Sequence, residues 1–304
     1  MSKLFFSTRA YEAMTSELCS LTGGIPGVLE RETFPDGEQY VRIATPVGGQ
    51  DVVLVGGTVT DEDTLEIFDV ASAIVKYGAR SLTIAIPYFG YATMERATKA
   101  GEVVRGKTRA RLFSSIPAAD RPNRVVLVDA HTEGLPYYFE GSVVTVHAYA
   151  KGVVSRLIRD MGGDDFVLAC TDAGRAKWVE SLANDLNITA SFVFKRRLDG
   201  ATTSVTAVSA SVEGKKVIIY DDMIRTGSSL LGAARAYLAA GATSVAAVTT
   251  HGVFPGESLA RIEASRLFSS IASTDTHPRA RQLAGNFLHV ESVAPAIAMH
   301  LGDL

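Results

Sequence analysis

The segment Val217–Leu230 combines an apolar run, two adjacent acids, a short polar loop and residues typical of a helix start. Asp221 and Asp222 follow the apolar run directly. A carboxylate accepts hydrogen bonds from both hydroxyls of a vicinal diol, and backbone N–H groups at a helix start bind anions. The loop residues suited to a phosphate are Thr226, Gly227, Ser228 and Ser229. A diol and a phosphate on one loop describe a ribose 5-phosphate, although a capped helix after a turn is the simpler interpretation.

Polar residues also follow other predicted strands, at Asp129, His131, Thr171, Asp172 and His251. In an open parallel sheet, ligands bind at the carboxyl ends of the strands. A single acid after a strand is often only the N-cap of the next helix. Acids and histidines after four strands instead predict a polar, ion-binding edge.

Strands and helices alternate along the chain. A helix is predicted from Leu65 to Lys76, because its apolar residues recur at spacings of three and four, and another over Ser229–Ala240. The predicted strands, each nearly continuous in apolar residues, are Val52–Val55, Leu82–Ile86, Val125–Val128, Phe166–Ala169, Val217–Tyr220 and Val245–Val248. This alternation predicts βαβ units with parallel sheets, and therefore an α/β protein.

The length of 304 residues predicts two domains. Residues 125–134 and 217–227 both run from an apolar strand through an acid to a loop with glycine, which supports two related halves. We place an N-terminal domain over residues 1–145 and a C-terminal domain, which carries the ribose 5-phosphate loop, over residues 146–285. The apolar tail, residues 286–304, is expected to pack back onto the N-terminal domain.

The composition argues against several kinds of partner. A net charge of −3 gives no indication of nucleic-acid or anionic-membrane binding. No apolar run has the length of a membrane span, and the N-terminus lacks the apolar region of a signal peptide. Two cysteines, Cys19 and Cys170, suit a reducing compartment. We therefore expect a soluble cytoplasmic protein.

The loop at residues 221–229 resembles the phosphoribosyl-binding loop of proteins with the type I phosphoribosyltransferase fold. Further segments narrow the resemblance to the ribose-phosphate diphosphokinases (PRPP synthetases). In the order of that family they are Phe34–Glu38, Pro87–Tyr91, Asp129–His131, Thr171–Gly174, Lys195–Arg197 and Thr250–Phe254. Met94–Arg96 followed by Glu102, and the run His251–Pro255, resemble the plant-type class II members in particular.

The resemblance implies two tandem parallel-sheet domains of the type I phosphoribosyltransferase fold. It implies transfer of the diphosphoryl group of ATP, or of another nucleoside triphosphate, to the 1-hydroxyl of ribose 5-phosphate. The products would be 5-phosphoribosyl-1-diphosphate and a nucleoside monophosphate, for nucleotide biosynthesis. Two alternatives stay open: a non-catalytic regulatory homologue that binds nucleotide or a true synthetase subunit, and a phosphoribosyltransferase that consumes the diphosphate.

The resemblance also implies roles for individual residues. Lys195 and Arg197 match a basic pair that meets the transferring β-phosphate. His131 and Asp172 match positions associated with Mg²⁺, although that ion prefers oxygen ligands to histidine. The nucleotide-binding residues would be Phe34, Asp36, Gly37, Glu38 and Arg96, and the ribose 5-phosphate residues Asp221, Asp222, Arg225, Thr226, Gly227, Ser228 and Ser229. The turn with Phe34 reaches a neighbouring subunit in this family, which implies a homo-oligomer built on dimers.

Three departures from the family pattern affect these roles. Arg225 stands where most members carry an acid, and it places a positive charge toward a phosphate or shifts one diol contact to the two aspartates. Thr93 and Met94 replace an Arg-Gln pair, so that one cation is missing near the nucleotide phosphates, and Arg96 or Arg105 is the expected substitute. Residues 132–134 depart from the family's continuation after His131.

Overall fold

Each of two units of the chain folds around its own six-stranded parallel sheet, as the computed structural model shows. The structure describes residues 2–171, 174, 176–199, 202–208 and 210–302, without the side chains of 193–199 and 202–208. The first unit comprises Met1–Tyr149 together with Val293–Leu304, and the second comprises Ala150–Ser292. The bounds predicted from the sequence lay at 145/146 and at 286.

The first unit alternates strands and helices. Its strands are β1 (Leu4–Ser7), β2 (Ile25–Pro26), β3 (Leu29–Thr33), β4 (Gln39–Ile43), β5 (Asp51–Val55), β6 (Ser81–Ile86), β7 (Arg124–Val128) and β8 (Val144–Ala148). Its helices are α1 (Glu12–Thr22), α2 (Asp61–Lys76) and α3 (Arg105–Ser114), with short 3-10 helices at Arg9–Tyr11 and Leu135–Tyr138. The sheet order is β2-β1-β5-β6-β7-β8, and β3 and β4 form a separate antiparallel hairpin.

The second unit repeats this plan. It contains α4 (Lys151–Gly162), β9 (Phe166–Cys170), α5 (Ala176–Leu186), β10 (Thr189–Ser191), β11 (Val193–Asp199), β12 (Thr202–Val208), β13 (Lys216–Ile224), α6 (Ser228–Ala239), β14 (Ser244–Gly252), α7 (Ser258–Ala264), β15 (Ile271–Thr274), α8 (Pro278–Gln282) and β16 (Leu288–Glu291). The sheet order is β10-β9-β13-β14-β15-β16, and β11 pairs with β12 in an antiparallel hairpin. The last helix, α9 (Ala294–Ala298), belongs to the first unit and contacts α1.

The central strands are buried on both faces, which explains their uninterrupted apolar sequences. All five residues of β5 and of β9 are buried, and so are four of the five residues of β7. Helices cover both sheets: Ile67 and Ile74 of α2 lie in the core of the first unit, and Ala234 of α6 lies in that of the second. The predicted α/β class with parallel sheets is confirmed.

The predicted helix starting near Leu65 begins four residues earlier, at Asp61, because a capping box defines its start. The Thr60 hydroxyl accepts from the Asp63 N–H at 3.0 Å, and the Thr60 N–H donates to the Asp63 carboxylate at 2.9 Å. Gly78, at a φ of +84°, follows the other end of the helix. Among the described residues, no helix has both the length and the apolar character needed to cross a membrane.

Candidate active site

The paired acids lie inside a strand, whereas the sequence placed them after it. β13 continues to Ile224 because it pairs with β14 beyond Tyr220, with Asp221 opposite Thr249 and Met223 opposite His251. Alternation along the strand separates the two carboxylates. Asp222 is only 6% exposed, while Asp221 is half-buried and accepts a hydrogen bond from the Thr171 hydroxyl at 3.0 Å. The end of β9 thus orients one of the two acids.

A short loop joins the end of β13 to the start of α6. Gly227 is the N-cap residue, with a φ of +79°, and its carbonyl accepts the Leu231 N–H at 2.8 Å. The hydroxyls of Thr226 and Ser228 lie 3.3 Å apart, and both residues are exposed. The first turn of α6 contains no acid. No carboxylate of this turn therefore competes for its leading N–H groups, which suits an anion-binding helix start.

The remaining predicted residues of this loop are accessible as well. Arg225 and Ser229 are exposed. Arg225 follows the buried Ile224 and precedes the exposed Thr226. The structure therefore brings the predicted ribose 5-phosphate residues together on one strand end, one loop and one helix start. Within this segment, the two acids precede the loop and the helix start by a few residues, an order that suits a ligand with a diol near one end and a phosphate at the other.

A buried polar network joins β13 and β14 to the segment that follows β15. His251, 3% exposed, has its Nδ1 2.9 Å from the Thr276 hydroxyl. Thr276 in turn donates to the Thr250 carbonyl at 2.9 Å, and the Tyr220 hydroxyl lies 3.0 Å from the Thr250 hydroxyl. His251, which the sequence placed at a ligand-binding edge, is thus part of the interior of the second unit.

The same network continues into α8. His277 caps this helix, because its Nδ1 accepts the Arg279 N–H at 3.1 Å. Burial, with smaller contributions from His251 and Arg279, lowers the pKa of His277 to about 4. Asp275 is buried and accepts two hydrogen bonds from Arg281, at 2.9 and 2.5 Å. The sequence analysis missed this network, and its only signal was the polar run after Ile271-Ala272.

In the first unit, the predicted residue His131 follows a strained backbone. Asp129 has a φ of +37° and is 6% exposed. Its N–H donates to the Ala148 carbonyl at 3.1 Å, and the next N–H, that of Ala130, donates to His147 Nε2 at 2.9 Å. His131 itself is half-buried. Sequence reasoning missed His147, because only the pairing of β7 with β8 brings it to this segment.

The predicted nucleotide turn lies at the tip of the hairpin formed by β3 and β4. Phe34, Asp36, Gly37 and Glu38 are all exposed there, and the Phe34 and Tyr40 rings lie 6.0 Å apart. The Phe34 N–H donates to the Glu38 carbonyl at 2.8 Å, and the Asp36 carboxylate accepts the Glu38 N–H at 3.1 Å. The turn is thus well ordered by its own hydrogen bonds and offers an aromatic face and two acids.

The two candidate cations for the nucleotide phosphates differ in their surroundings. The side chain of Arg96 is 78% exposed and lies 3.5 Å from the Glu95 carboxylate. Arg105 instead donates to Asp61 at 3.0 Å and stacks on Tyr91, with its guanidinium carbon 4.0 Å from the ring centroid. Arg109 shares the same carboxylate at 2.5 Å. Arg96 is therefore the more available of the two.

Three predicted residues cannot be placed by their side chains. Asp172 lies outside the described residues. Lys195 and Arg197 lie on β11, opposite Val205 and Thr203 of β12, but their side chains lie outside the described part. Within the described part of the chain, no three His, Cys, Asp or Glu side chains lie together so that they could hold a metal ion.

Comparisons with known proteins identify the family. The profile of the N-terminal domain of ribose phosphate pyrophosphokinase matches residues 3–116, and that of the phosphoribosyl transferase domain matches residues 145–278. A ribose-phosphate pyrophosphokinase of Rhodopirellula baltica is 31% identical over 299 residues, covering 96% of this chain and 92% of that protein. The chain belongs to the ribose-phosphate pyrophosphokinase family.

Two further relatives agree with this family assignment. The ribose-phosphate pyrophosphokinase of Saccharolobus solfataricus is 32% identical over 239 residues, covering 77% of this chain and 79% of that protein. The crystal structure of phosphoribosylpyrophosphate synthetase from Mycobacterium smegmatis matches with a TM-score of 0.86 and 25% identity, covering 99% of this chain and 97% of that one. The two units therefore have the type I phosphoribosyltransferase fold, as the sequence predicted.

Proposed function

We propose that this chain is a ribose-phosphate diphosphokinase, which makes 5-phosphoribosyl-1-diphosphate for nucleotide biosynthesis. The observation that carries the proposal is the Asp221–Ser229 segment, where two acids suited to a diol lie at one strand end and are followed by a helix start suited to an anion. In the reaction, the 1-hydroxyl oxygen of ribose 5-phosphate bonds to the β-phosphorus of ATP. The bond from that phosphorus to the α–β bridging oxygen breaks, AMP leaves, and the proton of the 1-hydroxyl group is released to water.

The second unit would hold the acceptor sugar. Asp221 and Asp222 would accept hydrogen bonds from the ribose hydroxyls, with Asp221 held by Thr171. The backbone of Thr226, Gly227, Ser228 and Ser229 would bind the 5-phosphate, and the exposed Arg225 would add a positive charge beside it. Holding the sugar at both ends leaves its 1-hydroxyl free to react, and such positioning supplies much of the rate of phosphoryl transfer.

The nucleotide would be bound by the exposed hairpin turn and by Arg96. Phe34 offers a ring on which adenine can stack. The carboxylates of Asp36 and Glu38 can accept from the exocyclic amine of adenine, and Gly37 allows the turn its φ of +96°. Arg96, exposed and beyond the Thr93-Met94 departure, would meet the phosphates. Lys195 and Arg197 are proposed to neutralise the charge that develops on the transferring β-phosphate.

We propose Mg²⁺ as the metal that accompanies the nucleotide, with His131 and Asp172 as the associated residues. Mg²⁺ usually binds through one or two carboxylates, waters and substrate phosphates rather than in an all-protein cage. A carboxylate such as that of Asp172 fits this chemistry, whereas a histidine fits it through a bound water or through a phosphate oxygen. When bound, the ion would neutralise charge on the phosphates.

We also propose a homo-oligomer built on dimers, in which the Phe34 turn completes the site of a neighbouring subunit. The turn is at the tip of an exposed hairpin, which supports this role. Mixing a Phe34→Ala protein with a Lys195→Ala protein tests it, because mixed dimers would hold one intact site. Recovery of activity on mixing supports a shared site, and no recovery after verified subunit exchange contradicts it.

The sequence features Met94–Arg96, Glu102 and His251–Pro255 support a class II enzyme of the plant type, with weak dependence on free phosphate and weak inhibition by ADP. Glu102 orders its own turn, accepting the Thr98 N–H at 2.6 Å and the Lys99 N–H at 3.1 Å. Initial rates measured without phosphate, and with added ADP, would test the subtype.

The free thiols of Cys19 and Cys170 agree with the cytoplasmic location proposed for the enzyme.

The deciding experiment incubates the protein with ribose 5-phosphate, Mg²⁺ and each of several nucleoside triphosphates. We expect 5-phosphoribosyl-1-diphosphate and a nucleoside monophosphate in equal amounts with ATP or another donor. Lys195→Ala should abolish this product while leaving the protein folded. No monophosphate with any donor would refute the proposal and favour the non-catalytic homologue, which would bind nucleotide or a true synthetase subunit.

A further inference from the structure

The imidazole of His147 is placed to accept a hydrogen bond from the backbone next to His131. The Ala130 N–H points at His147 Nε2 over 2.9 Å. The histidine lies on β8 opposite Leu127 of β7, so that the parallel pairing of these strands holds it beside the end of β7. Its ring stacks on Tyr149, with the ring centroids 4.2 Å apart. Pairing and stacking together leave the imidazole little freedom.

The backbone that this bond holds is strained. Asp129 adopts a φ of +37°, in a region that residues with a Cβ rarely occupy. Such a conformation persists only where neighbouring contacts over-determine it. Two contacts do so here: the Asp129 N–H donates to the Ala148 carbonyl at 3.1 Å, and the Ala130 N–H donates to His147. His131 is the next residue along the chain, so its direction depends on this turn.

The hydrogen bond also defines the chemical state of the imidazole. Because Nε2 accepts, the ring proton must lie on Nδ1 and the ring must be neutral. Burial lowers the pKa of His147, which favours that state. The charged groups that face it are Asp129 and Glu133, which oppose the lowering, and His300, which adds to it. A neutral acceptor at this position is therefore compatible with its surroundings.

We propose that His147 is a positioning residue for diphosphoryl transfer, acting as the hydrogen-bond acceptor that holds the backbone between Asp129 and His131. In this role His147 does not contact the substrate, because it acts through the Ala130 amide. The inference rests on the proposed function for its catalytic part, since His131 is the residue whose placement it would secure. Its structural part, the protection of one amide, is independent of any activity.

Two substitutions separate the acceptor from the bulk of the ring. His147→Gln keeps a side-chain oxygen that can accept the Ala130 N–H, whereas His147→Leu has similar size and no acceptor. Hydrogen exchange of the Ala130 amide, measured in the folded protein, reports the bond directly. Losing one hydrogen bond of ordinary net strength should speed exchange about tenfold in His147→Leu, and His147→Gln should stay near the original rate.

The kinetic measurement asks whether the substitution changes kcat or KM. We expect His147→Leu to lower kcat about tenfold, an effect the size of one hydrogen bond, with the KM for ribose 5-phosphate unchanged. His147→Gln should restore most of kcat. Equal kcat in the two variants, or unchanged Ala130 exchange in His147→Leu, would overturn the proposal. Altered exchange with no activity in any protein, including the parent, would refute the proposed function and keep the structural part.

A urea unfolding curve of each variant shows whether the substitution has only lowered the stability of the protein. If His147→Leu fails to fold, Tyr149→Ala replaces it, because that substitution removes the stacked ring and keeps the acceptor. We then expect Ala130 exchange to rise in Tyr149→Ala, with a smaller loss of kcat than of amide protection. Faster Ala130 exchange in this second variant with kcat unchanged would contradict the proposal, since loss of the hydrogen bond would then leave the transfer undisturbed.

Discussion

Gly227 lies so close to Ile262 that no side chain fits between them. A Cβ atom added to Gly227 would come within 2.5 Å of the Ile262 Cδ1 atom. The same glycine has a φ of +79°, which side chains disfavour. Because Ile262 belongs to α7 and is fully buried in the core of the second unit, the loop proposed to bind phosphate rests directly on that core. The close approach therefore determines the path of the loop.

Gly227→Ala should damage both stability and sugar binding. We expect the free energy of unfolding to fall by about 1–3 kcal/mol, from the positive φ and the overlap with Ile262. The KM for ribose 5-phosphate should rise at least about tenfold, the effect of losing roughly one good hydrogen bond to phosphate, while the KM for ATP changes little. Urea denaturation and initial-rate kinetics measure the two effects. An unchanged KM for ribose 5-phosphate would mean that the 5-phosphate group does not bind at the Gly227 loop.

Gly232→Ala is the matched control for that variant. Gly232 lies inside α6, and a Cβ added there meets no atom of the described part of the chain within 4 Å. Alanine loses less conformational freedom than glycine on joining a helix. We therefore expect the free energy of unfolding to rise by about 0.5–1 kcal/mol, with both KM values unchanged. A loss of sugar binding in this variant would show that the assay responds to any change in α6.

Thr171 is predicted to matter through its hydroxyl alone. It donates to Asp221 at 3.0 Å from the end of β9, and it is 1% exposed. Thr171→Val keeps the shape and removes the donor, so one carboxylate loses its orientation. We expect the KM for ribose 5-phosphate to rise about fivefold to tenfold, the size of one hydrogen bond. Thr171→Ser should retain nearly normal kinetics, and equal losses in both variants would implicate packing instead.

Arg96 and Arg105 should respond differently to truncation. Arg96→Ala removes an exposed charge, and we expect a KM for ATP that rises about tenfold, with the KM for ribose 5-phosphate unchanged and little loss of stability. Arg105→Ala instead removes a partner of Asp61 and a contact with Tyr91. Its main effect should be a lower free energy of unfolding, by up to about 1 kcal/mol for a partly exposed pair. Isothermal titration with ATP and urea unfolding distinguish the two. The reverse pattern would make Arg105 the phosphate ligand.

The fold was predictable where apolar runs are long, and less so elsewhere. The central strands β5, β6, β7, β9, β13 and β14 were all predicted, because burial on both faces makes them continuous in apolar residues. The strands β1, β8, β15 and β16 were not predicted, since none of them has more than three apolar residues. The extension of β13 through Asp221 to Ile224 also escaped, because pairing with β14 overrides the polar character of two acids.

The site was predictable where one contiguous segment carries it. The residues proposed to bind ribose 5-phosphate all lie within residues 221–229, so the composition of this one segment was enough to propose the ligand chemistry. The supporting groups are different in kind. His147 reaches Ala130, and Thr171 reaches Asp221, only because parallel strands are paired in one register. Such contacts join residues 17 and 50 positions apart, and no local pattern in the sequence encodes them.

His277 predicts how the second unit responds to acid. Its imidazole has a pKa near 4 in the folded protein, against an ordinary value of 6.5. Since the unfolded chain binds the proton more readily, this residue's contribution is complete above pH about 6.5 and is lost as the pH falls toward 4. Between pH 7 and pH 5 it should remove about 2 kcal/mol from the free energy of unfolding.

His277→Asn isolates this effect, because asparagine is a good N-cap that can accept the Arg279 N–H without taking up a proton. Urea unfolding at several pH values should show that the parent loses stability faster than the variant below pH about 6.5, the unfolded pKa. Above that pH, the two curves should run parallel. His277→Ala, which lacks both the cap and the titrating imidazole, should be less stable than His277→Asn by about 1 kcal/mol at every pH. An acid response equal in the parent and in His277→Asn would mean that the buried imidazole is not the group that titrates.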